Sequence, residues 1–275
     1  MTGENIVCFA NDWDADPTSK HQVMKILART NKLLCVNSIG LRRPGATTQD
    51  ASRIINKVKK CLAGPVQVAP NLYVLTPLAI PFHDVAGVPT INAWWLSRFV
   101  RRHAKKLGMD QFQVWSFMPT TAPLIRYLHP KKVLYYCVDE WSEFTFLNGK
   151  LMKEMEESLI SQSDIVITSA EKLYESKKGL NPHTYLVPHG VDSDHFAKAR
   201  LEATPVAPEL RDLPRPIIGF WGLVHEWIDL DLIKFIAMRH PEWSIVLVGK
   251  VDVECNDLRR LSNVVLVGPR SYNEL

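Results

Sequence analysis

The chain has no apolar run approaching the ~20 residues that a helix needs to cross a bilayer. It has no CxxC pair either. Its five cysteines, Cys8, Cys35, Cys61, Cys137 and Cys255, are odd in number and widely spaced. That spacing argues against a zinc site and against a disulfide framework, and three of the five lie in apolar strand-like runs. Buried thiols of a reducing compartment fit this pattern. The opening, MTGENIVCFA, lacks a basic region followed by a long apolar one, so no secretory signal is expected. There is no GxGxxG, which disfavours a dinucleotide dehydrogenase. No repeat at solenoid spacing and no low-complexity stretch is present. The charge excess is small, +4. It permits an acidic or phosphorylated partner without requiring nucleic acid.

What is present is a chain of 275 residues, 46% hydrophobic, long enough for one large or two modest domains. Short β-branched runs alternate with helical patterns. Strands are expected at Ile6–Ala10, Leu33–Asn37, Leu72–Leu75, Gln113–Ser116, Lys132–Cys137, Asp164–Thr168 and Tyr185–Val187. Helices are expected near 18–30, 49–62, 91–108, 120–128, 151–162 and 170–179. This alternation implies a parallel sheet covered on both faces. Continuous apolar runs such as Val133–Val138 fit strands buried on both sides, which need not alternate. Pro205, Pro208, Pro214 and Pro216 then mark a composition break at 197–216, read as a linker. Strand 217–221, helix 228–239, strand 244–249, helix 253–261 and strand 263–267 follow. In that helix Ile228, Leu232, Phe235 and Ile236 share one face. The expected organisation is a domain over 1–196, a linker over 197–216 and a second domain over 217–275.

Several stretches could carry chemistry. In an open parallel sheet, ligands bind beyond the carboxyl ends of the strands. The loop from Asn11 to His21, with Asp12 and Trp13, lies there after the first strand. It reads either as a ligand-contacting loop or as a solvated helix start capped by Thr18 or Ser19. Asp139, at the end of YYCVDEW, sits where a general base or a sugar-hydroxyl acceptor would act. The competing reading is a carboxylate favoured by the dipole of a following helix, and Glu140 and Glu143 are read that way. His189 in VPHGVDSDHF is a ligand or proton donor, or a structural histidine, beside a turn that Gly190 sharpens. Gly219 and Gly222 bracket the end of a strand, where backbone amides can approach a phosphate. The next residues, His225-Glu226-Trp227-Ile228-Asp229, bring no Lys or Arg; Lys250 at the next strand end could supply that charge. Finally, INAWWLSRFVRRHAKKLG places Trp95 and Phe99 one turn apart. Its cations Arg98, Arg101, Arg102, Lys105 and Lys106 come with no acid. Such a helix either lies on an anionic membrane surface or covers the sheet with a solvated basic face. No RNA- or DNA-binding motif accompanies it, so no nucleic acid is expected.

Four stretches together resemble bacterial glycosyltransferases of the GT-B fold, in the large retaining family four. They are NDWDADPTSKHQVMKILA with CVNSIGLRRP, YYCVDEW, VPHGVDSDHF, and GFWGLVHEWIDLDLI with WSIVLVGK. Within that family they look like a subgroup of cell-surface polysaccharide assembly, similar to teichuronic-acid-type transferases. SNVVLVGPRSYNEL looks like a further family turn. The resemblance implies an α/β, GT-B-like protein: a complete N-terminal Rossmann-like domain for the acceptor and a partial C-terminal one for a nucleotide-sugar. It implies no metal and no cofactor beyond the nucleotide-sugar substrate. Asn11, Asp12 and Asp139 would face the acceptor or the transferred sugar, with Asp139 as the catalytic candidate. Trp13 and His189 would lie on the same side, and Gly222, His225 and Lys250 near the donor. Trp95, Phe99, Arg101, Arg102 and Lys105 would meet the membrane of a lipid-linked acceptor, at the cytoplasmic inner face. Two departures stand out. The Arg and Lys that grip the diphosphate in many family members are replaced by His225, Glu226 and Asp229. The family's two glutamates, seven residues apart, fall beyond Leu275. The expectation is therefore a transferase with little activity as this 275-residue piece. A nucleotide-sugar epimerase of the same architecture and a non-catalytic acceptor-binding module are the alternatives.

Overall fold

A computed structural model describes residues 1–14, 18–38, 48–80, 87–145 and 147–275. Parts of two quoted stretches, 15–17 and 39–44, lie outside the described residues. The chain forms two compact units, Met1–Val191 and Asp192–Leu275.

The first unit runs β1 (Asn5–Phe9), α1 (Ser19–Leu27), β2 (Lys32–Val36), α2 (Thr48–Ala63), β3 (Val66–Ala69), β4 (Leu72–Leu75), α3 (Val88–Lys106), β5 (Gln113–Ser116), α4 (Ala122–Leu128), β6 (Val133–Cys137), α5 (Gly149–Ser161), β7 (Ile165–Thr168), α6 (Glu171–Lys177) and β8 (Thr184–Leu186). The strands form one eight-stranded sheet in the order β3-β4-β2-β1-β5-β6-β7-β8. Every pairing is parallel except β3 with β4. The chain winds outward from β1 to β4, then returns to β5 on the other side of β1. That reversal places a crevice beyond the carboxyl ends of β1 and β5.

The apolar runs are continuous because both faces are covered. On one face Val7, Phe9, Leu34, Val114, Tyr135 and Val166 pack beneath α3, α4 and α5, which contribute Leu96, Val100, Leu124 and Leu159. On the other, Ile6, Cys8, Leu33, Cys35 and Tyr136 pack with Met24 and Ala28, from α1 and its C-cap. Each buried Val, Leu or Ile contributes roughly 1.5–3 kcal/mol. All five cysteines are buried and unpaired. No helix among the described residues is long and apolar enough to cross a membrane.

Two features differ from expectation. The helix α3 starts at Val88 rather than 91, because Gly87 takes φ 85° and Pro89 occupies the first turn, where a missing N–H costs nothing. The strand β3 is additional. It pairs with β4 through a tight turn at Pro70-Asn71, with Asn71 at φ 59°. Proline followed by a residue tolerant of positive φ is a turn signature. Yet the residues of β3 are exposed or half-exposed, so no core pattern announces it.

The second unit runs α7 (Ser193–Phe196), α8 (Pro208–Arg211), β9 (Ile217–Trp221), α9 (Leu230–Arg239), β10 (Ser244–Val248), α10 (Asn256–Arg259) and β11 (Val264–Gly268). Its three strands are parallel, in the order β11-β10-β9. The stretch 197–216, read as a linker, contains α8 and a short helical turn at Ala197–Arg200. Asp229 caps α9: its carboxylate accepts the Leu232 N–H at 2.8 Å. That start fixes the helix phase. Leu230, Ile233, Ile236 and Ala237 face the core with Ile245, Leu247, Cys255 and Leu258. Leu232 and Phe235, expected inward, are 52% and 65% exposed. Ile228 precedes the helix altogether.

At the carboxyl ends of β9 and β10 two glycines meet. Gly222 has φ 149° and Gly249 φ 139°. A Cβ on Gly249 would stand 1.9 Å from the Gly222 carbonyl oxygen. Gly249→Ala is therefore expected to destabilise this unit by ~2 kcal/mol or more. A Cβ on Gly219 would meet nothing within 4 Å. Gly219→Ala should hold stability or raise it by up to about 1 kcal/mol. Urea unfolding followed by tryptophan fluorescence measures both; equal losses would contradict the close-approach argument.

Candidate functional site at the carboxyl edge of the sheet

Beyond β1 the chain arches over the ends of β2 and β4. The Trp13 N–H donates to Asn37 Oδ1 at 2.9 Å, and Asn37 Nδ2 donates to Thr76 Oγ1 at 2.9 Å. The Ser38 N–H donates to Asp12 Oδ1 at 2.9 Å. From α2, Lys57 Nζ donates to the Ser38 carbonyl at 2.9 Å, and Lys60 pairs with Asp14. Burial lowers the pKa of Lys57, with the Asp12 charge opposing. Asp12 is thus engaged in holding the loop. Trp13 rests against the His21 ring, centroids 4.9 Å apart, and against the core.

Asn11 and Asp139 come together through a residue that the motifs did not single out. Lys20, second in α1, is only 5% exposed. Its Nζ donates to Asn11 Oδ1 at 3.3 Å, stands 3.9 Å from Asp139 Oδ2, and lies 5.7 Å from the centroid of the buried Trp141 ring. Burial lowers the Lys20 pKa, and Asp139 opposes that shift. A signal existed: Lys20 precedes the buried Met24 and Ala28 by one and two helical turns, a cation on an apolar face.

Glu140, next to Asp139, has a different fate. It accepts from Lys177 Nζ at 2.9 and 3.0 Å and from Ser142 Oγ at 3.1 Å. Lys177 also pairs with buried Glu156 at 2.8 Å, and Tyr135 donates its hydroxyl to Glu156 at 2.5 Å. Burial works against the Lys177 charge, yet its hydrogen bonds to Glu156 and Glu140 hold its pKa above the ordinary lysine value. Burial pushes the Tyr135 and Cys137 groups up. This network pins the end of β6 to α5 and α6. Removing one partner from such a buried pair costs about 3–5 kcal/mol.

His189 is exposed beyond β8, while Asp192, two residues past Gly190, begins the second unit. Asp192 caps α7 by accepting the His195 N–H at 3.1 Å, and His195 stacks on Tyr272 at 4.7 Å. In the second unit the ladder continues past the glycines. The Gly222 N–H donates to Val248 O, Val224 N–H to Lys250 O, and Gly249 N–H to Gly268 O, each at 2.9 Å. His225 stacks on Trp227 at 4.1 Å, and its buried Nδ1 has no hydrogen-bond partner among the described residues. Lys250 pairs with Asp252 at 2.6 Å.

His21 stands where the glutamate of a capping box would. The Thr18 N–H donates to its Nδ1 at 3.0 Å, which requires that nitrogen to be unprotonated. Burial holds the imidazole below its ordinary 6.5, with backbone groups of Asp12 and Trp13 pulling the other way. A depressed histidine pKa means that the unfolded chain takes up the proton first. This part of the stability is complete above about pH 6.5 and is lost as pH falls through the folded-state value. His21→Gln keeps an acceptor but removes the titration. The melting temperature of the variant is expected to fall less between pH 7.5 and 5.5 than that of the parent; parallel declines would contradict the assignment.

A scan of protein-family models finds no match for the chain. Over 176 residues it is 28% identical to the putative teichuronic acid biosynthesis glycosyltransferase TuaH of Bacillus subtilis. The match takes in 56% of this chain and 42% of that relative, so it spans less than half of the relative's length. Among solved structures, HepE of Anabaena in complex with UDP-glucose superposes with a TM-score of 0.58 at 10% identity, over 97% of this chain and 69% of the other. Sucrose-phosphate synthase of Thermosynechococcus elongatus gives 0.62 at 13%, over 99% and 72%. A UDP-forming trehalose-phosphate synthase of Burkholderia xenovorans gives 0.61 at 13%, over 99% and 75%. A mostly parallel sheet wound about a switch point in the first unit and a second parallel α/β unit after it are the parts of one known architecture: the chain has the fold of the GT-B glycosyltransferases.

Proposed function

We propose that this protein is a glycosyltransferase that moves a sugar from a nucleotide-sugar to a saccharide or lipid-linked acceptor in cell-surface polysaccharide assembly. The observation that carries this reading is the polar cluster of Asn11, Lys20 and Asp139 at the carboxyl edge of the first sheet, in a fold shared with a UDP-glucose complex. Residues 1–196 serve the acceptor and 217–275 the donor. Asp139 receives the acceptor hydroxyl. A nucleoside diphosphate leaves, and catalysis consists of positioning plus stabilisation of the charge on that leaving group. The Gly222 and Gly249 amides are engaged in the ladder, so the turn beyond them, from Leu223 to His225, meets the diphosphate. Calorimetric titration of the chain with UDP and ADP tests the donor side. One-to-one binding is expected, weakened at least about fivefold by His225→Ala; no heat with either nucleotide at millimolar concentration overturns the assignment.

The acceptor is lipid-linked and the protein works in the cytoplasm, at the inner face of the membrane. This is supported by the outward face of α3. Ile91, Trp94 and Trp95 are exposed there, and Arg98 stacks over Trp94 at 5.3 Å. Arg102 and Lys105 are exposed as well. Phe99 instead packs on the core, and Arg101 donates to the Leu128 carbonyl at 3.1 Å. Each basic residue near an anionic leaflet is worth about 1 kcal/mol. Reversing Arg102 and Lys105 to Glu is expected to weaken binding to phosphatidylserine-containing liposomes at least about tenfold. Unchanged sedimentation with the vesicles would favour a merely solvated basic face.

A further inference from the structure

The first unit buries two lysines, and they are treated differently. Lys177 has carboxylates on two sides, at 2.8–3.0 Å. Lys20 is as deeply buried, 5% exposed. An ammonium carries three donors, and taking it out of water costs several kcal/mol unless close partners compensate. Lys20 has one long hydrogen bond, to Asn11 at 3.3 Å, and a carboxylate at 3.9 Å. This is poor compensation for a buried charge, and burial depresses its pKa accordingly.

The geometry does accomplish something else. Donation from Lys20 to Asn11 Oδ1 sets the flip of that amide, so the Asn11 NH₂ group points away from the ammonium. The same ammonium faces Asp139 Oδ2, leaving Oδ1 without a partner among the described residues. The Asp139 side chain is 42% exposed. The Asn11 amide oxygen and one Asp139 carboxylate oxygen are thus held within 4 Å of a single nitrogen, which leaves the Asn11 amide donor and the second Asp139 oxygen to face the carboxyl edge of the sheet. Neighbouring ring hydroxyls each donate and accept, and match such a pair. A phosphate would meet the carboxylate and be repelled.

We infer that Lys20 is a positioning residue that fixes Asn11 and Asp139 as a hydroxyl-recognition pair for the neutral saccharide portion of the acceptor; this rests on the transferase reading above. Lys20→Arg keeps the charge and donors, whereas Lys20→Met removes both.

Saturation-transfer NMR on the 275-residue chain tests this. The probes are the methyl glycosides of glucose, galactose and N-acetylglucosamine, with inorganic phosphate as the anionic control and UDP titrated in parallel. Binding of at least one glycoside is expected, weakened at least about tenfold by Lys20→Met and by Asp139→Asn, and largely retained by Lys20→Arg. UDP binding should be the same in all variants. Should Lys20→Met fail to fold, Asn11→Asp and Asp139→Asn carry the test, because both change groups at the edge rather than in the core. Parent-like glycoside binding by Lys20→Met overturns the inference, and so does binding of phosphate with no glycoside. If no glycoside binds while UDP does, the inference falls and the transferase reading stands. Glycoside binding without UDP binding has the opposite meaning.

Discussion

A parallel sheet buried on both faces offers a ligand only its edge, and the first unit follows from that constraint. Ile6 and Cys8 face one core, Val7 and Phe9 the other. After Asn5, which is half-buried at its start, no side chain of β1 is left for solvent. Polar groups are therefore displaced to the loops past the strand ends, where Asn11, Asp12, Asn37, Thr76, Asp139 and Glu140 gather. Once there they must be hydrogen-bonded, because half-buried polar atoms without partners are costly. Most of the cluster is accounted for in this way. Asp12, Asn37 and Thr76 stitch three strand ends together. Glu140 joins the Lys177 and Glu156 network. What remains with unused donor or acceptor capacity is Asn11 and Asp139, around Lys20.

The contrast between the two lysines separates a closed scaffold from the candidate site. Around Lys177 the charges are short-range, mutual and closed, with Tyr135 and Ser142 filling the remaining positions. Around Lys20 they are loose and open on one side. Both arrangements cost desolvation, but only the first is compensated by the chain itself. Asp139 and Glu140 are adjacent in sequence and share a strand end, so only their partners distinguish them.

Much of the fold was legible in the sequence. Seven strands of the first unit announce themselves as apolar runs; for all but the edge strand β8, whose Tyr185 and Leu186 are exposed, burial on both faces writes hydrophobicity into nearly every position. The eighth, β3, does not, since only Ala69 of its side chains reaches a core and the others are exposed. In α9 the apolar residues exceed what one face can hold, so periodicity alone cannot choose the buried set; the Asp229 cap decides it. The candidate site was legible as an address rather than as a set of contacts. Strand-end position singled out Asn11 and Asp139 as candidates, but only the fold brings a lysine nine residues after Asn11 beneath both.

The second unit shows why a glycine at a strand end is ambiguous evidence of a phosphate site. Gly249 lies against the Gly222 carbonyl, where any side chain would collide. Gly249 is required by packing and Gly222 is favoured by its φ of 149°, whether or not a ligand binds. Their amides, moreover, already donate to neighbouring strands. The glycines let β9 and β10 approach and carry the ladder on to the bridge between Val224 and Val251. A diphosphate at this edge would have to be met by what lies past them: the turn from Leu223, the half-buried His225 ring, Lys250 and the start of α9. That start carries Asp229 and Asp231, whose charges oppose an anion at the helix terminus. Any affinity for a diphosphate here therefore rests on backbone amides, the histidine and Lys250, which Asp252 partly neutralises, rather than on the helix dipole.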